Sequence, residues 1–237
     1  MGVVVNTNIS SITASRILSE NRADLEKAME RLASGKRINS AADDAAGMAV
    51  AAKMRADIGS LNQSVRNTND AISLVNTYDG AAAEIESILI RMRELAVQTR
   101  NGTYEEADRT NANFEYTALK NEITRIAGVS AFNRMTVGQG SSGAAGGTGV
   151  ADTTFTFYVG SDVAKTGNSI AFAAKALDLN LAVSSGTLNS VVDTASAGQA
   201  IATLDDAITE LAANRAQAGA LINRLEHTVS NLMNVSQ

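Results

Sequence analysis

The sequence predicts a mainly α protein: long heptad-patterned helices forming a rod-like bundle, with a small β-hairpin element. Three observations carry this. Apolar positions recur in alternating steps of four and three along much of the chain, the spacing of helices that pack along a seam. None of the 237 residues is proline, so nothing enforces a proline kink. The chain is 45% hydrophobic but only 4% aromatic, so small aliphatic side chains suited to close helix contact dominate.

Residues 1–42 are helix-prone. Leu18, Leu25 and Leu32 recur every seven residues with Met29 between them, and Asn21, Arg22, Asp24 and Glu26 supply a polar face. This seam has no obvious partner within the chain. A second helix is expected from Asp43 to Arg100. Its seam reads Ala51, Met54, Ile58, Leu61, Val65, Thr68, Ile72 and Val75. The phase slips near Asp79-Gly80 and resumes as Ala82, Ile85, Leu89, Met92, Ala96 and Thr99. Asn101-Gly102 reads as its stop. Such a helix would span about 87 Å, which implies a rod.

Thr103 and Glu106 fit a capping box that opens a third helix. Ala112, Tyr116, Leu119, Ile123 and Ile126 keep the alternation there, and Gly128 is the expected stop. The six glycines among residues 138–149 predict a surface loop. Phe155, Phe157 and Val159 then alternate with Thr154, Thr156 and Tyr158, a strand signal. Ile170 and Phe172 mark a partner strand, with Gly160 and Gly167 in the connecting turn. The last helix is expected within 187–237. Its seam reads Ile201, Leu204, Ile208, Leu211, Arg215, Ala218, Ile222, Leu225, Val229 and Leu232, opened by a box of Ser196 and Gln199.

The composition bounds the chemistry. Cysteine is absent, which excludes disulfides, thiolate chemistry and Cys-ligated zinc. The single histidine, His227, excludes motifs that need two, and adjacent Glu226 points away from it on a helix. Neither a catalytic group, a metal site nor a cofactor is expected. The net charge of −5, from 20 Lys+Arg against 25 Asp+Glu, does not suit a nucleic-acid binder. No apolar stretch approaches the roughly 20 residues of a membrane-spanning helix, so no membrane insertion is expected. The N-terminus lacks the apolar run of about 7–15 residues that a cleaved secretory signal needs. Gly138, Gly140 and Gly143 match G-x-G-x-x-G without the strand and helix a dinucleotide site requires, so a flexible loop is the better reading. Asp43-Asp44 and Asp205-Asp206 read as acidic residues near helix starts.

Four blocks together resemble bacterial flagellin, in that family's order. They are Val5-Asn6-Thr7-Asn8, the stretch LASGKRINSAADDAAG from Leu32 to Gly47, RELAVQT from Arg93 to Thr99, and Phe132-Asn133. The likeness is strong over about 1–135 and continues in pattern beyond. It implies a subunit that polymerises with other flagellin subunits into the extracellular flagellar filament. Export would run unfolded through the flagellar type III system without a cleaved signal peptide, with an export chaperone and a cap as partners. Residues 1–42 would be the N-terminal half of the filament-core domain, with Leu18, Leu25 and Leu32 as its helix seam. Residues 43–137 would form two helices of the rod domain, 138–152 a Gly-rich variable loop, 153–186 its hairpin and connection, and 187–237 its C-terminal helix.

The resemblance also implies a receptor motif. Arg91, Leu95 and Glu115 match the positions at which flagellin-sensing Toll-like receptors grip the family, Arg91 and Leu95 being an i,i+4 pair. Two departures stand out. Arg134 follows Phe132-Asn133 where the family usually has glycine. Nothing here resembles the C-terminal helix that pairs with the family's N-terminal one. A flagellin-like adhesin or polysaccharide-binding protein, and a hook–filament junction protein, are the competing readings.

Overall fold

The computed structural model describes residues 8–138, 153–160, 167–177 and 190–236. The chain forms two compact units, Met1–Gly59 and Ser60–Gln237. Its elements are α1 (Ile9–Ser34), α2 (Ala45–Arg100), α3 (Glu106–Val129), β1 (Ala131–Phe132), β2 (Met135–Thr136), β3 (Thr153–Tyr158), β4 (Ser169–Ala174) and α4 (Thr194–Ser236). Among the described residues the strands form two antiparallel pairs, β1–β2 and β3–β4. The predicted Gly-rich loop at 138–152, apart from Gly138, lies outside the described residues, as do the block's first residues, Val5 to Thr7.

In the first unit, α1 is capped at both ends. The Asn8 side chain accepts from the Ser11 amide at 3.1 Å, and Gly35 ends the helix in the left-handed conformation at φ 65°. The residues between α1 and α2 explain the sequence block that stood out. The Asp43 carboxylate accepts from the Asn39 amide (3.3 Å), the Ser40 amide (3.2 Å) and the Ser40 hydroxyl (3.3 Å), and it pairs with Arg31 at 3.3 Å. These bonds, the Ser40 amide foremost, hold its pKa below the ordinary carboxylate value. Asp44 then caps α2 by accepting from the Gly47 amide at 2.8 Å. A side chain at Gly47 would meet that carboxylate, so Asp44 would have to turn to make room for it. No residue of α1 is buried.

The second unit has a continuous core. Arg93 meets Asp205 at 2.5 Å and Arg215 meets Asp79 at 2.9 Å, so α2 and α4 run antiparallel. Arg215 also pairs with Glu86. Arg91–Glu115 and the Arg109 guanidinium donating to the Thr99 carbonyl set α3 antiparallel to α2. The predicted β3–β4 hairpin closes the core, with Phe155 opposite Phe172 and Phe157 opposite Ile170. Tyr78 ties it to α2. Its ring stands edge-on to Phe172 with centroids 5.4 Å apart, and its hydroxyl donates to the Lys175 carbonyl at 3.0 Å.

The helix seams differ from the expected ones by a residue in several places. The buried line of α2 runs Ser64, Thr68, Ala71, Val75, Tyr78, Ala82, Ile85, Leu89, Met92, Ala96 and Thr99. It has no phase slip, because Tyr78 occupies the position where the expected seam broke. Val65 and Ile72, chosen for size, are only half-buried, while Ser64 and Ala71 hold the centre. Ser64 is satisfied by donating to the carbonyls of Ser60 (3.0 Å) and Gly160 (3.2 Å), and Thr68 to that of Ser64 (2.7 Å). In α4 the buried line is Ala197, Ala200, Leu204, Ala207, Leu211, Asn214, Ala218, Leu221, Leu225 and Leu232. Ile201, Ile208 and Ile222 flank it, and Arg215 turns out to Asp79 and Glu86.

The expected caps are corrected too. Asp193 caps α4, accepting from the Ser196 amide at 2.7 Å and its hydroxyl at 2.8 Å, in place of a Ser196–Gln199 box. At α3 the cap position is Glu105, with no side-chain cap bond, so the box of Thr103 and Glu106 does not form. Asp205 lies well inside α4 and pairs with Arg93 rather than serving the helix start. The Phe132-Asn133-Arg134 stretch makes a two-residue turn between β1 and β2, with Asn133 at φ 50° and Arg134 at φ 66°. Both lie in the left-handed region that glycine enters at no steric cost.

Candidate functional site

Two surfaces carry the functional residues. The first lies on the unit Met1–Gly59. Leu18, Leu25, Met29 and Leu32 fall within an arc of about 60° on α1 at 3.6 residues per turn. All four face solvent, Leu32 being 87% exposed. On α2, Val50, Met54 and Ile58 form a similar exposed apolar line. The opposite side of α1 is charged, with Arg16 and Glu20 paired at i,i+4. Contiguous exposed apolar side chains on a capped helix mark an interaction face.

The second surface joins α2 and α3. The Arg91 guanidinium lies 2.8 Å from Glu115 and 3.1 Å from Glu94. Bonds to Glu115 first, and then Glu94, hold its pKa above the ordinary arginine value. About half of each side chain of the Arg91–Glu115 pair is in water. Leu95 is different. It is only 2% exposed and belongs to the core, so it does not share the solvent face of Arg91. Its neighbours Met92 and Ala96 are on the buried line, and α2 must serve both α3 and α4, which widens its buried arc. The sequence reading passed over exposed apolar residues on the same two helices: Ile90, Val97 and Phe114, the last 68% exposed. The i,i+7 spacing of Ile90 and Val97 was the available signal.

Neither surface has the form of a catalytic site. The open groove of about 350 Å³ between the hairpin and α4 is lined by Leu61, Val159, Asn168, Ile170, Arg224 and Thr228, among others. Arg224 is the one ionisable side chain among the described residues lining it. His227 is exposed on α4, away from any acidic cluster that could hold a metal among the described residues.

Residues 5–142 match the bacterial flagellin N-terminal helical region. The chain belongs to the bacterial flagellin family. Two relatives match along nearly the whole chain. It is 38% identical to the flagellin of Halalkalibacterium halodurans, over 99% of this chain and 82% of that one. It is 39% identical to the flagellar filament core protein flaB2 of Brachyspira hyodysenteriae, over 98% of this chain and 81% of that one. The crystal structure of Bacillus cereus flagellin superposes with a TM-score of 0.58 at 35% identity, covering 70% of this chain and 88% of that chain. These relatives are named as flagellins and filament core proteins, not as enzymes. Family membership gives both surfaces a context that geometry alone did not supply.

Proposed function

We propose that this chain is a structural subunit that polymerises into the bacterial flagellar filament, outside the cell. The observation that carries the reading is the uncovered apolar line of Leu18, Leu25, Met29 and Leu32 on a helix with no buried residue. Helices in proteins draw most of their stability from packing an apolar face, and polymerisation would supply that cover. Head-to-tail contacts whose rotation does not close generate an open filament. Residues 1–42 would then contribute to the filament-core domain, and α2 from residue 43, α3, the hairpin and α4 to the domain outside it. Export unfolded by the flagellar type III system, with a chaperone and a cap as partners, suits a chain with neither disulfides to form nor X–Pro bonds to isomerise. Electron microscopy of sheared filament seeds incubated with purified subunits tests the reading. Seeds that lengthen support it; seeds from the chain's own source that do not lengthen leave a flagellin-like adhesin or a junction protein as the better account.

A second reading concerns the monomer. The exposed Arg91–Glu115 pair supports recognition by a flagellin-sensing Toll-like receptor, with Leu95 acting from beneath by holding α2 in place. Receptor-reporter signalling should fall after Arg91→Ala combined with Leu95→Ala. Unchanged signalling in that variant would rule the receptor reading out.

A further inference from the structure

The two exposed apolar lines on the first unit, one on α1 and one on α2, each contain a residue with chemistry of its own. Met29 sits among Leu18, Leu25 and Leu32 and is 63% exposed; Met54 sits between Val50 and Ile58 and is 59% exposed. The chain has seven methionines and no cysteine, so thioethers are its only sulfur groups. The others described differ in setting. Met92 is wholly buried, Met48 is half-buried, and Met135 and Met233, about half exposed, lie on the second unit.

We propose that Met29 and Met54 are oxidation sites through which peroxide blocks subunit assembly. The inference rests on the filament reading above. The thioether sulfur attacks one oxygen of hydrogen peroxide, the O–O bond breaks, and the other oxygen leaves as water. Sulfur is oxidised by two electrons to the sulfoxide while the peroxide is reduced. The reaction needs only the peroxide and access to sulfur, and both residues provide access in the free subunit. Its product is polar and strongly hydrogen-bond accepting. The surrounding leucine, isoleucine and valine side chains offer it no donor, and burying an unpaired polar group is unfavourable. The modification therefore damages the face that assembly must cover, while the core around Met92 is untouched. Assembly in turn shields both sulfurs, so the finished filament resists the oxidant that disables its precursor. Methionine sulfoxide reductases, one for each epimer, reverse the change.

Two experiments test this. In the first, native filaments and the subunits released from them are treated with hydrogen peroxide and mapped by mass spectrometry. Sulfoxide is expected at Met29 and Met54 in subunits but not in filaments, and at Met92 in neither. Equal oxidation of Met29 and Met54 in the two forms would overturn the proposal. In the second, treated subunits are added to untreated seeds. Elongation should slow by about tenfold or more, recover after reductase treatment, and be spared in a Met29→Leu, Met54→Leu variant, whose side chains conserve volume. Treated subunits that elongate at the untreated rate, or a double variant inhibited as much as the wild type, would also overturn it. Should the double variant fail to assemble even untreated, the filament-protection experiment decides. Failure of untreated wild-type subunits to elongate seeds is a different outcome, since it removes the filament reading itself.

Discussion

The two units obey one sequence rule with opposite results. In Ser60–Gln237, heptad positions such as Leu89, Leu211 and Leu225 are buried against neighbouring elements of the same chain. In Met1–Gly59, the equally regular Leu18, Leu25 and Leu32 stand in water. A heptad seam thus specifies that a helix will be covered, not by what. Local signals hold the first unit in shape: an asparagine cap, a glycine stop and an aspartate-centred turn. The second unit is held by its core as well.

Substitution of matched leucines breaks this comparison most sharply. Leu89→Ala should destabilise the subunit by about 2–5 kcal/mol, because it opens a cavity in a packed core. Leu25→Ala should change subunit stability by less than about 0.5 kcal/mol, as exposed substitutions do. Thermal unfolding of the purified subunits checks both. Seeded elongation should respond to Leu25→Ala all the same. If Leu25→Ala destabilises the subunit as much as Leu89→Ala does, the first unit has a cover within the chain.

Alkaline unfolding gives the next effect and touches the second unit alone. Tyr116 is buried, and its hydroxyl has no partner among the described residues. Burial pushes its pKa up to about 12. The folded value lies above the unfolded one of about 10, so its contribution is intact below that pH and is lost as pH rises toward 12. Tyr116→Phe should remove this part of the alkaline destabilisation. It should also raise stability at neutral pH by up to about 1 kcal/mol, since no unpaired hydroxyl is left in the core. Melts at stepped pH measure both.

Acid separates the two units by their aspartates. Asp193 has its pKa lowered by the Ser196 amide and then its hydroxyl, and Asp43 by the amides of Ser40 and Asn39. Each stabilises above the unfolded carboxylate value of about 3.9, and that support disappears as pH falls through the lower folded value. Asp193→Ala should flatten the acid side of the cooperative melt. Asp43→Ala should leave that melt unchanged and loosen only the turn before α2, seen in the amide exchange of Asn39 and Ser40. The smallest effect belongs to the β1–β2 turn. Arg134→Gly should raise stability by about 0.5 kcal/mol, because glycine adopts the positive φ without the steric cost, partly offset by its entropy in the unfolded chain.

Much of this architecture was legible in the sequence. Most helix spans, the strand pair and the unpartnered Leu18/Leu25/Leu32 seam follow from spacing and stop signals, although α3 runs through the expected stop at Gly128 to Val129. The seam centres were harder to read. Ser64, Ala71, Asn214 and the alanines on the buried line of α4 are buried, and a search for large apolar side chains passes over them in favour of Ile72 or Ile208. The burial of Leu95 was equally hard to read. Its i,i+4 relation to Arg91 is real, but a helix packed against two others buries a wider arc than one seam predicts. The Asn133–Arg134 turn was obscured because an arginine occupies a conformation whose usual sequence signal is glycine.

Residue-resolved hydrogen exchange on the free subunit and on the assembled filament tests the central claim most directly. The account predicts slow exchange along α2 from Val75 to Ala96 in both states. It predicts fast exchange along α1 in the free subunit and strong protection there in the filament. Protection of α1 in the free subunit equal to that of Val75–Ala96, unchanged on assembly, would contradict it.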